Sequence, residues 1–543
     1  MKTRFGLFAV ALITTLSVVA QTHITVDNPA TWSGEVLRPY IGQTVVFDVP
    51  MYITENAYGN YKVSPWRKFQ PESHGYKGTD EYKETVRINN SCMFVIDNIP
   101  APTAAMKEPM HRCGERIIGL QAKVNSTNSL TWVKGTWDGN TRADLEASLP
   151  DLGDYRLLVC GFNLENYFMT LQKDGGMGAE TESKRQLQRK KVRAALVRIN
   201  ADIFGLVELQ VGEKAIDEIM QDLNARLPER NYMHFKDAAS GTLQKVDFLY
   251  DANKVEPVSN TPAETTVEFA HRKKMMCFRE KATGEKFIYS INHFKSMSSD
   301  SESRRVNEAK AVIDLYNKYS KNNIVQDKDV LIMGDLNCYA FTAPIKQFID
   351  RNYIDLHQVY HADTSYSYMH GGLTSYIDHA ISNETMYRQI TGVSGYHINS
   401  DEDDRYTYDK STGDTTMFRC SDHDPVLVGL KLDSTLSHSI EPYFNGANFA
   451  QDSLSFYSVY TPTNENPMLY FDIYMLNGLQ ICPPTRVKYE SDLFEMHTKY
   501  YTLSTSNPNL PEELKQFLPM PAGLYILHFY YGNVVTSHKL IVK

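Results

Sequence analysis

The chain has 543 residues, long enough for three or four domains at roughly 150 residues each. Hydrophobic residues make up 42% of it and charged residues 22%, with 30 Gly and 23 Pro, which excludes disordered, collagen-like and low-complexity chains. The formal net charge of −9 excludes a globally basic binder, so any anionic partner must be held by local charge.

Met1 to Arg4 carries two positive charges, Phe5 to Val19 is apolar apart from Gly6, Thr14, Thr15 and Ser17, and Val18-Val19-Ala20 supplies small residues. This pattern predicts a signal peptide over residues 1–20, cut after Ala20, and hence a secreted or cell-surface protein that transits the periplasm. The apolar stretch is shorter than the roughly 20 residues of a membrane span and nothing comparable follows, so no membrane span is expected. Gln21 after the cut, in place of Cys, argues against a lipid anchor. The seven cysteines, at 92, 113, 160, 277, 338, 420 and 482, form no CxxC pair and fit neither a zinc ribbon nor a disulfide scaffold. Cys92 paired with Cys113 and a set of buried thiols both stay open.

From residue 21 to 149, short β-type runs such as Thr44 to Val49 and Ile117 to Leu120 are broken by Gly, Pro and Asn turns, with no sustained helical period. The expectation is a small β-barrel, similar to the OB-like modules that precede some secreted nucleases, with an unrelated β-sandwich as the alternative. Trp66, Arg67, Lys68 and Phe69 form either a stacking and phosphate-contact strip or an amphipathic loop.

From 150 to 433 the pattern changes to apolar runs alternating with helical periods, which predicts an α/β domain. The runs are Leu157 to Phe162, Ile203 to Val207, Val246 to Tyr250, Phe287 to Ile291, Val330 to Met333, Tyr376 to Ile381 and Val426 to Leu432. Val192, Ala195, Leu196 and Ile199 follow one helical face, and Val306, Ala309, Ile313 and Tyr316 another. Residues 434–543 return to short strands rich in Tyr and Phe and end in a predicted hairpin around Gly532-Asn533. With Phe471 to Tyr474 ahead of Asn477-Gly478, this segment is similar to the C-terminal sorting domain of the type IX secretion route in Bacteroidetes; an ordinary β-sandwich is the alternative.

The polar residues of the α/β region cluster at its strand ends: Asn163 and Glu165, Glu208, Asn292 and His293, Asp335 and Asn337, Asp378, Asp422 and His423. An ionised carboxylate in a sheet pays several kcal/mol of desolvation unless a cation or hydrogen bonds compensate. Glu165, Glu208 and Asp422 are hard oxygen ligands of the type Mg2+ takes, with Mn2+ or Ca2+ as alternatives. Taken singly, each motif is equally an Asx turn or a buried histidine.

Together, Gly161-Phe162-Asn163-Leu164-Glu165-Asn166, Asp202 to Glu208, Asn292-His293-Phe294-Lys295-Ser296, Gly334-Asp335-Leu336-Asn337, Ile377-Asp378-His379 and Ser421-Asp422-His423-Asp424-Pro425 resemble the endonuclease/exonuclease/phosphatase superfamily over about Arg156 to Leu432. Asn-His-Phe-Lys-Ser, with Tyr366-Ser367-Tyr368 before the Asp-His pair, is most similar to bacterial extracellular nucleases. The resemblance implies a four-layered α/β sandwich and phosphate-ester hydrolysis. It implies a metal held by Glu208, Glu165 and Asp422, Asp335 as base, and Asn163 and Asn337 holding water and phosphate. It further implies that His423, supported by Asp378, binds the phosphoryl oxygen, with His293 opposite.

Asn292, Lys295, Arg272 and the arginines Arg185, Arg189 and Arg193 are the expected substrate contacts. These three, at i, i+4, i+8, crowd one predicted helix together with Lys184, Lys190, Lys191 and Arg198, either as a phosphate-tracking surface or as a solvated face. His271-Arg272-Lys273-Lys274 is a second basic candidate. Related nucleases often carry prolines after that arginine and a glutamine before the glutamate of Val207-Glu208, and both departures bear on substrate preference.

The leading expectation is a secreted, metal-dependent nuclease with a nucleic-acid substrate, taken as a monomer and exported through its C-terminal domain. The alternatives are a phosphatase or a phospholipid or inositol-phosphate phosphodiesterase on the same scaffold, and a non-catalytic surface adhesin. The lack of an obvious exposed apolar hairpin disfavours lipid. DNA against RNA, endo against exo cleavage and the ligand of the first module are not readable from sequence.

Overall fold

The computed structural model describes residues 22–433 apart from 26–31, 57–60, 101–110, 140, 238, 266–270, 298–300, 362–363 and 411–412, and beyond 433 the backbone of nine strands. The signal-peptide expectation over residues 1–20 and the turn at 532–533 lie outside the described residues. Among the described residues, no helix is long and apolar enough to cross a membrane.

The first segment holds β1 (Thr22–Ile24), β2 (Thr44–Phe47), β3 (Met51–Glu55), β4 (Tyr61–Ser64), β5 (Phe94–Asp97), β6 (Arg116–Ser126) and β7 (Ser129–Asp138), with helix α1 (Asp80–Asn89) before β5 and α2 (Arg142–Ala147) after β7. The long strand β6 pairs with β2, β3 and β7, so the path β3-β4-β5-β7-β6 returns to β3 and closes on itself. Two helices stand where the sequence pattern predicts none. Thr79 caps α1 by accepting from the N–H of Tyr82, and Thr141 with Asp144 forms a reciprocal capping pair at α2, so local caps start helices too short for a visible period. Trp66 is buried in this module's core, edge-on to Trp32, and Lys68 is buried, donating to the carbonyls of Asn89 and Ser91. The expected stacking strip at 66–69 is therefore not an open surface. Cys92 and Cys113 are free thiols.

The second segment runs β8 (Leu157–Tyr167), α3 (Glu182–Ile199), β9 (Ile203–Gln210), α4 (Lys214–Arg226), β10 (Tyr232–His234), β11 (Gln244–Asp251), β12 (Val255–Pro257), β13 (Ala263–Glu264), β14 (Lys273–Glu280), β15 (Lys286–His293), α5 (Glu302–Tyr319), β16 (Val330–Asp335), α6 (Ala343–Ile349), β17 (Ile354–Asp355), α7 (Leu356–Tyr360), β18 (Tyr368–His370), β19 (Leu373–Ser375), β20 (Asp378–Ser382), α8 (Glu384–Tyr387), β21 (Ile390–Gly395) and β22 (Val426–Leu430). One sheet has the order β10-β11-β9-β8-β22-β21, the other β12-β14-β15-β16-β20-β17.

Strand β8 shows why its sequence is a continuous apolar run. Leu158, Cys160 and Phe162 pack outward on Val192, Leu196 and Ile199 of α3 and the apolar face of α4, while Leu157 and Val159 pack inward with Phe248, Tyr289, Leu331 and Met333 from both sheets. A third cluster joins Ile288 and Ile332 of the second sheet to Val312 and Ile313 of α5 and Phe348 of α6. Helices, sheet, sheet and helices form a four-layered α/β sandwich, and strands buried on both faces admit charge in their interior only where it is paired, as Asp247 of β11 is with Lys245 at 2.5 Å.

Beyond residue 433 the strands form two antiparallel sheets, of five and four strands, and the second ends in the pair Gly523–Tyr531 and Val534–Val542.

Lys273 and Glu308 meet 3.0 Å apart with neither side chain accessible to solvent, and a second carboxylate oxygen of Glu308 accepts the N–H of Lys295. Lys273→Met strands a buried carboxylate and is expected to cost about 3–5 kcal/mol. The check is urea unfolding followed by circular dichroism; an unmoved midpoint refutes the pair's role.

Candidate active site

Six strand ends converge on one edge of the sandwich. His293 closes β15, Asp335 closes β16 and Asp378 opens β20, and the register sets Asp335 directly between the other two. Asn163 and Glu165 lie near the end of β8, where its pairing with β9 breaks between Asn163 and Tyr167; Glu208 lies two residues before the end of β9; Asp422 and His423 precede β22.

Several of these residues adopt left-handed backbone conformations that side chains avoid: Glu165 at φ 53°, Asn166 at 55°, Glu208 at 64° and Asn337 at 48°. Such angles cost of order 1–3 kcal/mol each and persist where surroundings over-determine them. Hydrogen bonds do so here. The N–H of Asn166 donates to Glu208 Oε2 at 2.8 Å, the N–H of Glu165 to Asn163 Oδ1 at 3.0 Å, and the N–H of Asn337 to Asp335 Oδ1 at 2.8 Å.

Asp335 Oδ2 accepts from the amides of Asn163 at 3.1 Å and Asn337 at 3.0 Å. Burial, with repulsion from Asp378 and Glu208, raises its pKa to about 7 against the opposing pull of His423. His423 Nδ1 sits 2.7 Å from Asp378 Oδ2, which also accepts from Ser367 Oγ at 2.7 Å. Burial disfavours charge on His423, yet Asp378, Asp422 and Asp335 overcome it and hold the imidazole well above its ordinary range. His293 goes the other way. Burial and the neighbouring Arg272 keep it neutral; the guanidinium lies against its ring, with Nη2 2.6 Å from Nε2. His293 Nε2 is 3.5 Å from Glu208 and 3.6 Å from Asp335.

Burial and the charges around them push Glu165 well up and Glu208 up, with Asp422 foremost among the repelling neighbours of both. Glu165 Oε2 is buried and has no hydrogen-bond partner. An orphaned carboxylate oxygen inside a cluster of mutually repelling carboxylates is the donor set of a divalent cation. Ligand atoms of Glu208, His293 and Asp335 lie within 4.8 Å of one another, as do those of Asp335, Asp378 and His423.

Most of the expected substrate contacts do not face this site. Arg185 pairs with Glu182 and Glu218, Arg189 with Glu218 and Asp222, and Arg193 with Asp222, so the arginines of α3 tie it to α4 and form no open phosphate track. Lys191 is buried against Asp414. Asn292 turns its amide into the sheet, donating to Ser290 Oγ at 3.0 Å and the Met333 carbonyl at 3.1 Å, and is inaccessible. Lys273 and Lys274 are buried beside Glu308 and Asp247, leaving Arg272 as the one residue of that basic run at the centre. Lys295 is half-buried beside Glu308 through its backbone.

The sequence reading missed Tyr368, whose ring lies 4.9 Å from that of His423, and the brace around Asp424. Both fall inside quoted motifs, which were the available signal.

Residues 161–423 match the model of the Endonuclease/Exonuclease/phosphatase family. The match covers just under half of the chain, and over it the central domain is similar to that family. It is a hydrolase acting on phosphate esters. No curated protein matches the chain. Among solved structures it is similar to an endonuclease/exonuclease/phosphatase from Bacteroides vulgatus, at 17% identity over 51% of this chain and 99% of that one with a TM-score of 0.36. It is likewise similar to the mannosyl-6-phosphatase of Bacteroides thetaiotaomicron, at 18% over 51% and 100% with 0.35, and to the human Nocturnin catalytic domain, at 14% over 51% and 94% with 0.36.

Because Glu165 and Glu208 hold their protons more tightly folded than unfolded, the metal-free protein should lose stability as pH rises above about 4.5 through their raised values. A bound cation replaces those protons. The rise in Tm on adding magnesium, measured by thermal melts, should therefore be small at pH 5, grow toward pH 8, and vanish in Glu208→Gln. A pH-independent increment would contradict the cluster.

Proposed function

We propose that the chain is a secreted, divalent-metal-dependent nuclease that hydrolyses phosphodiester bonds of DNA or RNA. One observation carries the hydrolytic part of this reading: a base and an acid stand side by side. Asp335, near-neutral in pKa and cradled by two asparagine amides, lies within 4.8 Å of the charged His423 and its partner Asp378.

Asp335 would take a proton from the attacking water, since a general base works best with a pKa near the operating pH. Asn163 and Asn337 donate to its Oδ2 and so fix which lone pairs remain for that proton. Asp378 holds Nδ1 of His423, which leaves Nε2 to donate to a phosphoryl oxygen as charge grows there. Neutral His293 and the guanidinium of Arg272 supply further polar contacts. Glu165, Glu208 and Asp422 would hold the cation, magnesium by their hard oxygens or else manganese or calcium, which supplies a Lewis acid for the phosphoryl oxygens.

A polynucleotide substrate is supported by the closed five-strand path of the first module, an OB-like arrangement of the kind that binds oligonucleotides and oligosaccharides, and by the parallel rings of Tyr368 and His370 beside His423. The ion-paired arginines of α3 favour a second reading, a phosphatase or lipid or inositol-phosphate phosphodiesterase, because Arg185, Arg189 and Arg193 are each committed to acids of the protein itself. Export rests on the N-terminal leader and on the terminal strands, read as a sorting domain.

Asp335→Asn keeps the shape and removes the base, so turnover should fall by roughly 10² to 10⁴ with KM little changed. The assay uses plasmid DNA, RNA, sphingomyelin and a chromogenic phosphomonoester, each with magnesium, calcium or chelator. Good cleavage of the monoester or the lipid with DNA and RNA left intact would end the nuclease reading; an unimpaired Asp335→Asn would end the assignment of the base.

A further inference from the structure

The loop after β21 clasps the His423 motif from behind. Asp424 accepts from the N–H groups of Asn399 at 2.8 Å and Ser400 at 3.0 Å, from the Ser400 hydroxyl, and from His397 Nδ1 at 3.0 Å. Asn399 donates its amide to the His423 carbonyl at 2.6 Å and accepts the N–H of Cys420 at 2.9 Å. The same few residues thus hold both flanks of Asp422 and His423.

The next two residues of the loop are acids, Asp401 and Glu402, exposed by only 3% and 5%. Their partners come largely from the first module. Arg67 reaches Asp401 Oδ1 at 2.6 Å, and Arg112 reaches Glu402 Oε1 at 2.6 Å, with Arg142 on its other oxygen at 2.5 Å. The Asp401 carbonyl accepts from Asn56 and from the N–H of Cys113, both at 3.0 Å. Tyr366 links the two sides: its hydroxyl donates to Asp401 Oδ2 at 2.6 Å, its ring stacks on His397 at 3.6 Å, and Arg67 lies over its other face at 3.9 Å.

A second route runs through the hairpin β18-β19. Thr374 exchanges backbone hydrogen bonds with Lys68 and Gln70 of the first module, at 2.9 Å each, while Tyr368 on the opposite strand bridges to His423. Two buried carboxylates in consecutive positions tolerate no looseness in their cations, because a buried charge that loses its partner is stranded.

We propose that the first module is a working part of the hydrolytic centre, with Arg67 and Arg112 as positioning residues that hold His423 through the 397–402 loop. This rests on the reading of His423 as the phosphoryl-binding group. The module therefore acts on turnover of any substrate, including one too small to touch it.

The test uses the full-length protein and bis(4-nitrophenyl) phosphate in a double-mutant cycle. Arg67→Met is expected to lower kcat about ten-fold with KM within about two-fold, and to cause no further loss in a His423→Ala background. A purely structural effect would repeat in both backgrounds. Folded Arg67→Met with wild-type kcat, or an equal loss in both backgrounds, overturns the proposal while leaving the role of His423 intact. Wild-type turnover in His423→Ala overturns both together. Should Arg67→Met fail to fold, Tyr366→Phe decides: it keeps the ring stack and removes only the hydroxyl on Asp401. A fall of about two- to five-fold in kcat that disappears without His423 supports the proposal, and unchanged kcat overturns it.

Discussion

Four carboxylates packed where two sheets meet are the constraint on which the rest of this domain depends. Glu165, Glu208 and Asp335 are pushed together where water is scarce, with the more exposed Asp422 adding its charge from the rim, and the three are held by contacts that cost stability elsewhere. Left-handed backbone at Glu165 and Glu208, amides spent on Asp335 and a guanidinium laid on an imidazole are compensations for that concentration of charge. The arrangement stores electrostatic energy in the resting protein, and chemistry that brings positive charge or takes up protons releases it.

The sandwich makes such a concentration possible by restricting where polarity can go. With β8 packed on helices by one face and on a second sheet by the other, a carboxylate halfway along it would be buried without recourse. Only the strand ends touch solvent, so residues from six strands meet at a single edge. The register of β15, β16 and β20 then fixes the spacing of His293, Asp335 and Asp378 through backbone hydrogen bonds, independent of side-chain choice.

Much of this was legible in the order of the motifs. The apolar runs marked the strands, and polar residues directly after them marked the edge where the candidate site lies, because inside a doubly buried strand charge persists only when paired, as in Lys245 and Asp247. What was not legible was pairing between distant elements. The i, i+4, i+8 arginines of α3 looked like a basic face because periodicity reports which side a residue occupies and not that α4 places Glu218 and Asp222 opposite. Trp66 to Phe69 stayed ambiguous for the same reason: an amphipathic cluster is compatible with solvent or with a seam, and here Lys68 donates to two carbonyls inside the module. Asn292 stands next to His293 in sequence but on the opposite face of the strand, where it satisfies the sheet. Left-handed φ values at Glu165 and Glu208 left no mark at all, since nothing in their residue type announces them.

The seam between the first module and the 397–402 loop has a consequence for how the chain acquires its shape. Arg67 and Asp401 are separated by 334 positions. Contacts so distant in sequence form late, after local strands and helices have paid for most of the ordering. The first sheet must itself join β8 to β22, at Gly161 and Val426, across most of the same domain, and the environment of His423 waits in addition for the ends of a still longer loop to meet. Folding order and the candidate site are thereby tied: a chain that has built its cores but not closed this seam is compact, and the surroundings of His423 are still unfinished.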